Sequence, residues 1–327
     1  MAKINQYRKN IYYYGRATII YIQLRSYLKK EFALDLKFPQ SLQKEYFYHS
    51  GYYNRTQQYM HANHFFGELL CLLREKPMNK KERMRFANLS ACAPIFDDFF
   101  EQETDLQHIE NLLQNPKSKN TKTHTEKLAV HFLNNILQSS ISTSNFLKAA
   151  KNLFQAQKQS KTQKDKELSK EQLLKISQKK GGFSGLMYAY LLESSPPTYF
   201  YKTAYLLGGY GQIMDDVFDL FDDAKEGIRT FANNSTKVME IQQIVQEQEN
   251  NILDLLNKQG IKNPHFRNTL AVFGAIIQIA IQQYQHIENE GISPINCLKL
   301  ERKHWIIDME KLSNIWLSFK LSSAKMQ

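Results

Sequence analysis

The sequence predicts an all-α fold. Only 13 Gly and 8 Pro occur in 327 residues, few for the tight turns of a β-sandwich or barrel. No stretch alternates apolar and polar residues as a half-buried strand does, and Lys, Gln, Leu, Ile and Glu are plentiful. Hydrophobic residues make up 42% of the chain, enough for a sizeable core. No internal repeat and no linker-like stretch divides the chain. Residues 1–327 are therefore expected to form a single domain, with 1–75 as N-terminal helices at its periphery.

Residues 1–30 mix Tyr and Ile with Lys and Arg and read as a first helix or helix pair. Their alternation of basic and aromatic residues also fits a helix lying on a membrane surface. A second helical pattern covers 40–76, with Tyr52, Tyr53 and Arg55 ahead of an apolar run from Phe65 to Leu73, and Pro77 closes it. Asn79 and Glu82 have capping-box spacing. The helix they start is expected to reach Leu113 and to kink at Pro94, where a proline removes one backbone hydrogen bond. The polar stretch 115–126 reads as a loop, 128–154 as helix, and the Lys- and Gln-rich 155–170 as an exposed helix or a connection. Within 173–192, Gly181-Gly182 should loosen or break the helix, each at about 1 kcal/mol relative to alanine. Ser194-Ser195-Pro196-Pro197 opens a long helix, with serine as its cap, expected to run to about Ala224 and stop near Gly227. Helices at 236–258, 266–288 and 296–321 complete the chain.

The formal net charge of +11 points to an anionic partner without choosing among nucleic acid, anionic lipid and a phosphorylated small molecule. Cys71, Cys92 and Cys297 have no metal-ligand spacing and read as reduced core residues of a cytoplasmic protein. The run 11–24 is interrupted by Gly15, Arg16 and Gln23, which spoils an apolar signal core. Ala271 to Ile281 is too short to span a bilayer and reads as a core helix.

Two acidic clusters carry the functional reading. Asp215, Asp219 and Asp223 recur every four residues, so a helix stacks them on one face, where like charges repel. The interleaved Ile213, Met214, Val217, Phe218, Leu220 and Phe221 argue against a free acidic strip. A divalent cation would offset the repulsion; a solvated acidic face is the alternative. Asp97 and Glu101 share a face of the earlier helix, with Asp98 beside them and Asp105 one turn further on. If the two helices faced each other across a bundle, the carboxylates would converge on one cavity. Gly208, Gly209 and Gly211 cost helix propensity, so they are expected to make room for a neighbour or a ligand.

Asp97-Asp98-Phe99-Phe100-Glu101 resembles the DDxxD/E motif of class I isoprenoid synthases, the superfamily of trans-prenyltransferases, squalene and phytoene synthases and class I terpene cyclases. Gly208, Gln212, Ile213, Asp215, Asp216, Asp219 and Asp223 match the second prenyltransferase motif, G-x-x-F-Q-I-x-D-D-x-x-D-x-x-x-D, position by position. The spacing of Asp215, Asp219 and Asp223 also fits the second motif of the cyclases. The motif-bearing likeness covers about residues 80–230. It implies a single-domain all-α bundle of the class I isoprenoid synthase type with a central cavity. It also implies three Mg²⁺ ions, held with substrate diphosphate by Asp97, Asp98, Glu101, Asp215, Asp219 and Asp223. Catalysis would depend on Asp97, Asp98, Asp215 and Asp219.

Lys179 and Lys180 lie in a stretch similar to the lysine-bearing helix break of several members. With Lys225 and Arg229 they are the candidates for diphosphate binding, ordinary surface charge being the alternative. Phe96, Phe100, Tyr210 and Phe218 would offer aromatic faces to a carbocation, or pack the core. Gly211 and Gln212 complete the expected pocket.

Three departures shape the expected function. Gln102-Glu103-Thr104-Asp105 stands where elongating prenyltransferases carry an Arg-Arg pair, their Gly-Lys-x-x-Arg element is missing, and Gly211 replaces the motif's phenylalanine. The resemblance then implies a Mg²⁺-dependent terpene cyclase that ionises one prenyl diphosphate, although the cyclases' usual Asn/Ser/Glu ligands are all Asp here. A coupling prenyltransferase, elongating or head-to-head, is the alternative, and a non-catalytic helical scaffold with a degenerate synthase fold the third reading. Expected partners are the prenyl diphosphate, a membrane surface at the N-terminal segment and a second copy in a homodimer. Nucleic acid is not expected, because two acidic clusters and the lack of a binding motif count against it.

Overall fold

The computed structural model describes residue 26 and residues 44–325, apart from 103, 104, 141, 194, 195, 309 and 310. The membrane-surface reading of 1–30 and the serine cap at 194–195 lie outside the described residues. Every regular element among the described residues is helical. The chain divides into two compact units interleaved in sequence, one built from 44–155 and 186–197, the other from 156–185 and 198–325.

The first unit contains α1 (Lys44–His49), α2 (Tyr52–Leu73), α3 (Lys80–Glu101), α4 (Leu106–Gln114), α5 (His124–Ser139) and most of α6 (Thr143–Ser160). The capping box is present: Asn79 Oδ1 accepts from the Glu82 N–H at 2.9 Å, and Glu82 accepts from the Asn79 N–H at 2.8 Å. Glu82 is wholly buried, and Arg74 matches its charge with two hydrogen bonds of 2.7 and 2.8 Å. α3 packs along α2 and α5 and continues through Pro94. It stops at Glu101, short of Leu113, because Asp105 caps a new helix by accepting from the His108 N–H at 3.1 Å. Asp105 is thus a helix cap and not a further carboxylate on the α3 face. The helix expected over 128–154 is two helices, α5 and α6, with Ser140 extended between them.

The second unit contains the rest of α6, α7 (Lys170–Ala189) up to Gly185, α8 (Thr198–Phe218), α9 (Leu220–Lys225), α10 (Val238–Lys258), α11 (Pro264–Asn289) and α12 (Leu312–Lys325). Gly181-Gly182 does not break α7, which runs unbroken across the pair. These glycines serve close approach instead. A Cβ on Gly181 would lie 2.2 Å from the Gly208 carbonyl oxygen, and one on Gly185 would lie 2.2 Å from that of Ala204. α7 and α8 therefore meet backbone to backbone, a contact that offsets the propensity lost at each glycine.

α8 packs on α10 and α11. The Tyr284 hydroxyl donates to the Val217 carbonyl at 2.7 Å, at the step where α8 gives way to α9. α9 ends as expected near Gly227, at φ +72°, with the Ile228 N–H reaching back to the Asp223 carbonyl at 2.8 Å. The helix expected over 296–321 is not continuous. Two 3₁₀ turns, Pro294–Lys299 and Arg302–His304, precede α12. Trp305, only 1% exposed, donates to the Cys297 carbonyl at 3.0 Å and folds that segment back on itself. All three cysteines are buried and free. No described helix is long and apolar enough to cross a membrane.

Candidate functional site

The acidic stretch of the second unit keeps its register although the helix is interrupted at Asp219. The Asp219 N–H bonds the Asp215 carbonyl and the Asp223 N–H bonds the Asp219 carbonyl, both at 2.8 Å. These are helical i to i−4 bonds, so Asp215, Asp219 and Asp223 stay on one face. Crowding then acts on their charges. Asp215 and Asp219 are exposed and Asp223 is half-buried. Partial loss of solvent first, and then neighbouring carboxylates, push Asp219 up to about 6 and Asp223 up to about 8, above the ordinary carboxylate range; the exposure of Asp219 makes its shift the weaker of the two.

The other two aspartates take different parts. Asp216 is buried, and burial raises it to about 7; it accepts hydrogen bonds from the Ser177 hydroxyl and, at 3.3 Å, from the Gln212 amide. Gln212, expected in a pocket wall, also donates to Asp215 at 2.8 Å and so braces two carboxylates. Asp222 is held below the usual range by Arg302, whose guanidinium meets both its oxygens at 2.6 Å. Arg302 also acts on Asp219, and Lys180 on Asp216 and Asp223.

The other expected cations separate. Lys179 and Lys225 are exposed. Arg229 spends its donors on Asn234 and on the carbonyls of Asp165 and Leu168, so it clamps a turn and is not a free diphosphate contact. Tyr210, expected to face a pocket, is 1% exposed, and its hydroxyl has no hydrogen-bond partner among the described residues. Phe218 is half-buried. Gly211 is exposed, and a Cβ there would meet nothing within 4 Å.

In the first unit, α2 reaches the DDxxE motif with one face. Tyr52, Arg55 and Tyr59 are three and four apart, and they hold Asp98 and Asp97. The Tyr52 hydroxyl donates to Asp98 at 2.7 Å, and Arg55 forms a tight ion pair with its other oxygen. The Tyr59 hydroxyl donates to Asp97. Asp98 is consequently buried between helices, whereas Asp97 is half-buried and Glu101 exposed. Burial and the Asp97 carboxylate raise the Tyr59 phenol well above its ordinary value, so it stays a donor. Phe100 is buried against Phe154 at 4.8 Å between ring centres, which is core packing; Phe96 is half-buried and meets Phe99 edge-on.

The sequence reading missed Arg302, Ser177 and Tyr59 as partners of the acidic residues. Only the Tyr52-x-x-Arg55 spacing ahead of the apolar run of α2 gave a local signal. Each acidic set offers carboxylate oxygens alone, the donor chemistry preferred by a hard divalent cation. Among the described residues no group of three or more His, Cys, Asp and Glu side chains is placed to hold a metal ion. Comparisons with family profiles, with curated proteins and with solved structures find no match for the chain.

Proposed function

We propose that the protein is a class I isoprenoid synthase of the terpene cyclase kind, ionising one prenyl diphosphate and releasing inorganic diphosphate. One observation carries the reading. Asp215, Asp219 and Asp223 share one face, and desolvation with neighbouring carboxylates raises Asp219 and Asp223, a crowding of carboxyl groups whose ionised form a hard cation would stabilise. We assign Mg²⁺ binding to Asp215, Asp219 and Asp223 in one unit and to Asp97 and Glu101 in the other, in each case only together with substrate diphosphate, because among the described residues the carboxylates by themselves are not placed as a metal-binding group. When bound, Mg²⁺ supplies Lewis-acid stabilisation of charge on the departing diphosphate.

The chain's own residues supply the remainder. Lys180 and Arg302 stand beside the carboxylates and offset anionic charge there. Ser177 and Gln212 hold Asp216 in place, and Tyr52 and Arg55 anchor Asp98, so one carboxylate of each motif is fixed by the chain itself. Asp98 and Asp216 are therefore read as positioning residues. Gly211 stands where the related motif carries a phenylalanine, and a Cβ there would meet nothing within 4 Å.

The test is product analysis by mass spectrometry after incubation with geranyl, farnesyl or geranylgeranyl diphosphate and Mg²⁺, with and without isopentenyl diphosphate. Hydrocarbon or alcohol products from a single prenyl diphosphate, unchanged by isopentenyl diphosphate, are expected. Longer prenyl diphosphates formed only with isopentenyl diphosphate would move the assignment to chain elongation, and a product joining two prenyl chains to head-to-head coupling.

A further inference from the structure

Outside the acidic motifs, the last part of the second unit exposes apolar side chains. Among the described residues six large hydrophobic side chains are exposed. Five of them, Ile295, Leu298, Ile306, Ile315 and Trp316, lie in the last part of the chain. α12 concentrates the anomaly. It packs along α11, yet its fully buried described positions are two serines, Ser318 and Ser322. Their hydroxyls turn back onto the helix, to the Ile315 carbonyl at 2.8 Å and the Phe319 carbonyl at 3.1 Å. A helix stabilised only by its own core would bury Ile315 and Trp316 and show the serines to water. Here Ile315 is 40% and Trp316 54% exposed.

The polar groups around that face indicate what would cover it. Trp316 stacks on Phe319 with ring centres 5.4 Å apart, and Lys320 places its ammonium 5.5 Å from the Trp316 ring centre. An indole with a lysine reaching past it is the arrangement that suits the boundary between acyl chains and headgroups. Residues 311–327 contain Lys311, Lys320 and Lys325 and no Asp or Glu. A second copy of the same face would bring Lys311 and Lys320 against their own kind, whereas an anionic surface is complementary to them. At 14 residues α12 is about 21 Å long, too short to cross a bilayer.

We propose that the outward face of α12 docks this unit onto an anionic lipid surface, with Ile315 and Trp316 entering the headgroup boundary and Lys311 and Lys320 meeting lipid charge. The inference is independent of the acidic motifs and of the activity assigned to them.

Vesicles of phosphatidylcholine with phosphatidylglycerol, and of phosphatidylcholine alone, provide the probe. The full chain should co-sediment with the anionic vesicles, release as salt rises, and bind the neutral ones weakly. Its tryptophan emission should shift to the blue; of its 2 tryptophans, Trp305 is already buried, so the shift reports Trp316. Lys311→Gln with Lys320→Gln should weaken binding about 30-fold, the loss of two lysines each worth about fivefold near such a surface. Ile315→Ser with Trp316→Ser should abolish the shift and the binding while circular dichroism and Trp305 emission stay as in the parent. Equal binding to both vesicle types, unchanged binding by either variant, or no binding by the parent would overturn the proposal. So would self-association that the Ile315→Ser, Trp316→Ser variant abolishes while vesicle binding persists.

Discussion

Asparagine at both Asp219 and Asp223 is expected to slow Mg²⁺-dependent diphosphate release by about 10³-fold or more, and at the same time to raise the melting temperature of the metal-free protein above neutral pH. The first effect follows from removing two charges assigned to stabilise the leaving group, each of a kind worth about 10²-fold or more. The second follows from linkage. Asp219 and Asp223 lie at about 6 and about 8 in the folded chain, above the unfolded value near 4. A carboxyl raised in this way favours the folded state below its unfolded value, and the contribution is lost as pH rises through the folded one. The metal-free parent should therefore lose stability between about pH 4 and pH 8, and Mg²⁺ with inorganic diphosphate should restore it, more strongly at the alkaline end where protons no longer compete for the oxygens. Melting curves with and without Mg²⁺ and diphosphate across that range check both parts. A double variant that is less stable than the parent at alkaline pH would mean that these carboxylates are structural, their repulsion outweighed by contacts.

The second large effect is on folding. Valine at Gly208 should destabilise the second unit by about 3 kcal/mol or more, because its Cβ would fall 2.2 Å from the Gly181 carbonyl oxygen and 2.9 Å from the Gly185 backbone. Neither neighbour is the end of a flexible side chain, so helices α7 and α8 would have to separate. The separation would also withdraw Ser177 and Lys180 from Asp216 and Asp223. Alanine at Gly211 is the matched control, since a Cβ there meets nothing within 4 Å. It should be neutral or stabilising by up to about 1 kcal/mol, the helix-propensity difference between the two residues. Denaturant unfolding of the two variants against the parent gives the comparison. Equal stability of the two would contradict the close-packed α7–α8 contact.

These residues also show what a sequence reading reaches. The capping box at Asn79 and Glu82 and the helix stop at Gly227 are local chemistry, written within a few residues, and both are found. The i, i+4 spacing of Asp215, Asp219 and Asp223 is likewise local, and it survives the break at Asp219 because the backbone bonds continue across it. Gly181-Gly182 misled, because a glycine pair costs helix propensity whatever surrounds it, and only the Gly208 carbonyl oxygen, which a Cβ on Gly181 would meet at 2.2 Å, shows why the helix tolerates it. Asp105 misled for the opposite reason: the same carboxylate serves a helix face or a helix cap, and the backbone path decides between them. Arg302 pairs with Asp222 across 80 positions, and Tyr59 with Asp97 across 38, so neither pairing leaves a pattern along the chain. Arg229, close in sequence to the acidic stretch, proved to be spent on Asn234 and two carbonyls.

The most direct measurement is the release of inorganic diphosphate from geranyl, farnesyl and geranylgeranyl diphosphate by the purified protein, with Mg²⁺ and with a chelator in its place. The predicted result is release from at least one of the three that requires Mg²⁺ and is lost when Asp97 and Asp98 are both replaced by alanine. A parent that neither turns over any of the three nor binds diphosphate in a Mg²⁺-dependent way would contradict the assignment and leave a helical scaffold in its place.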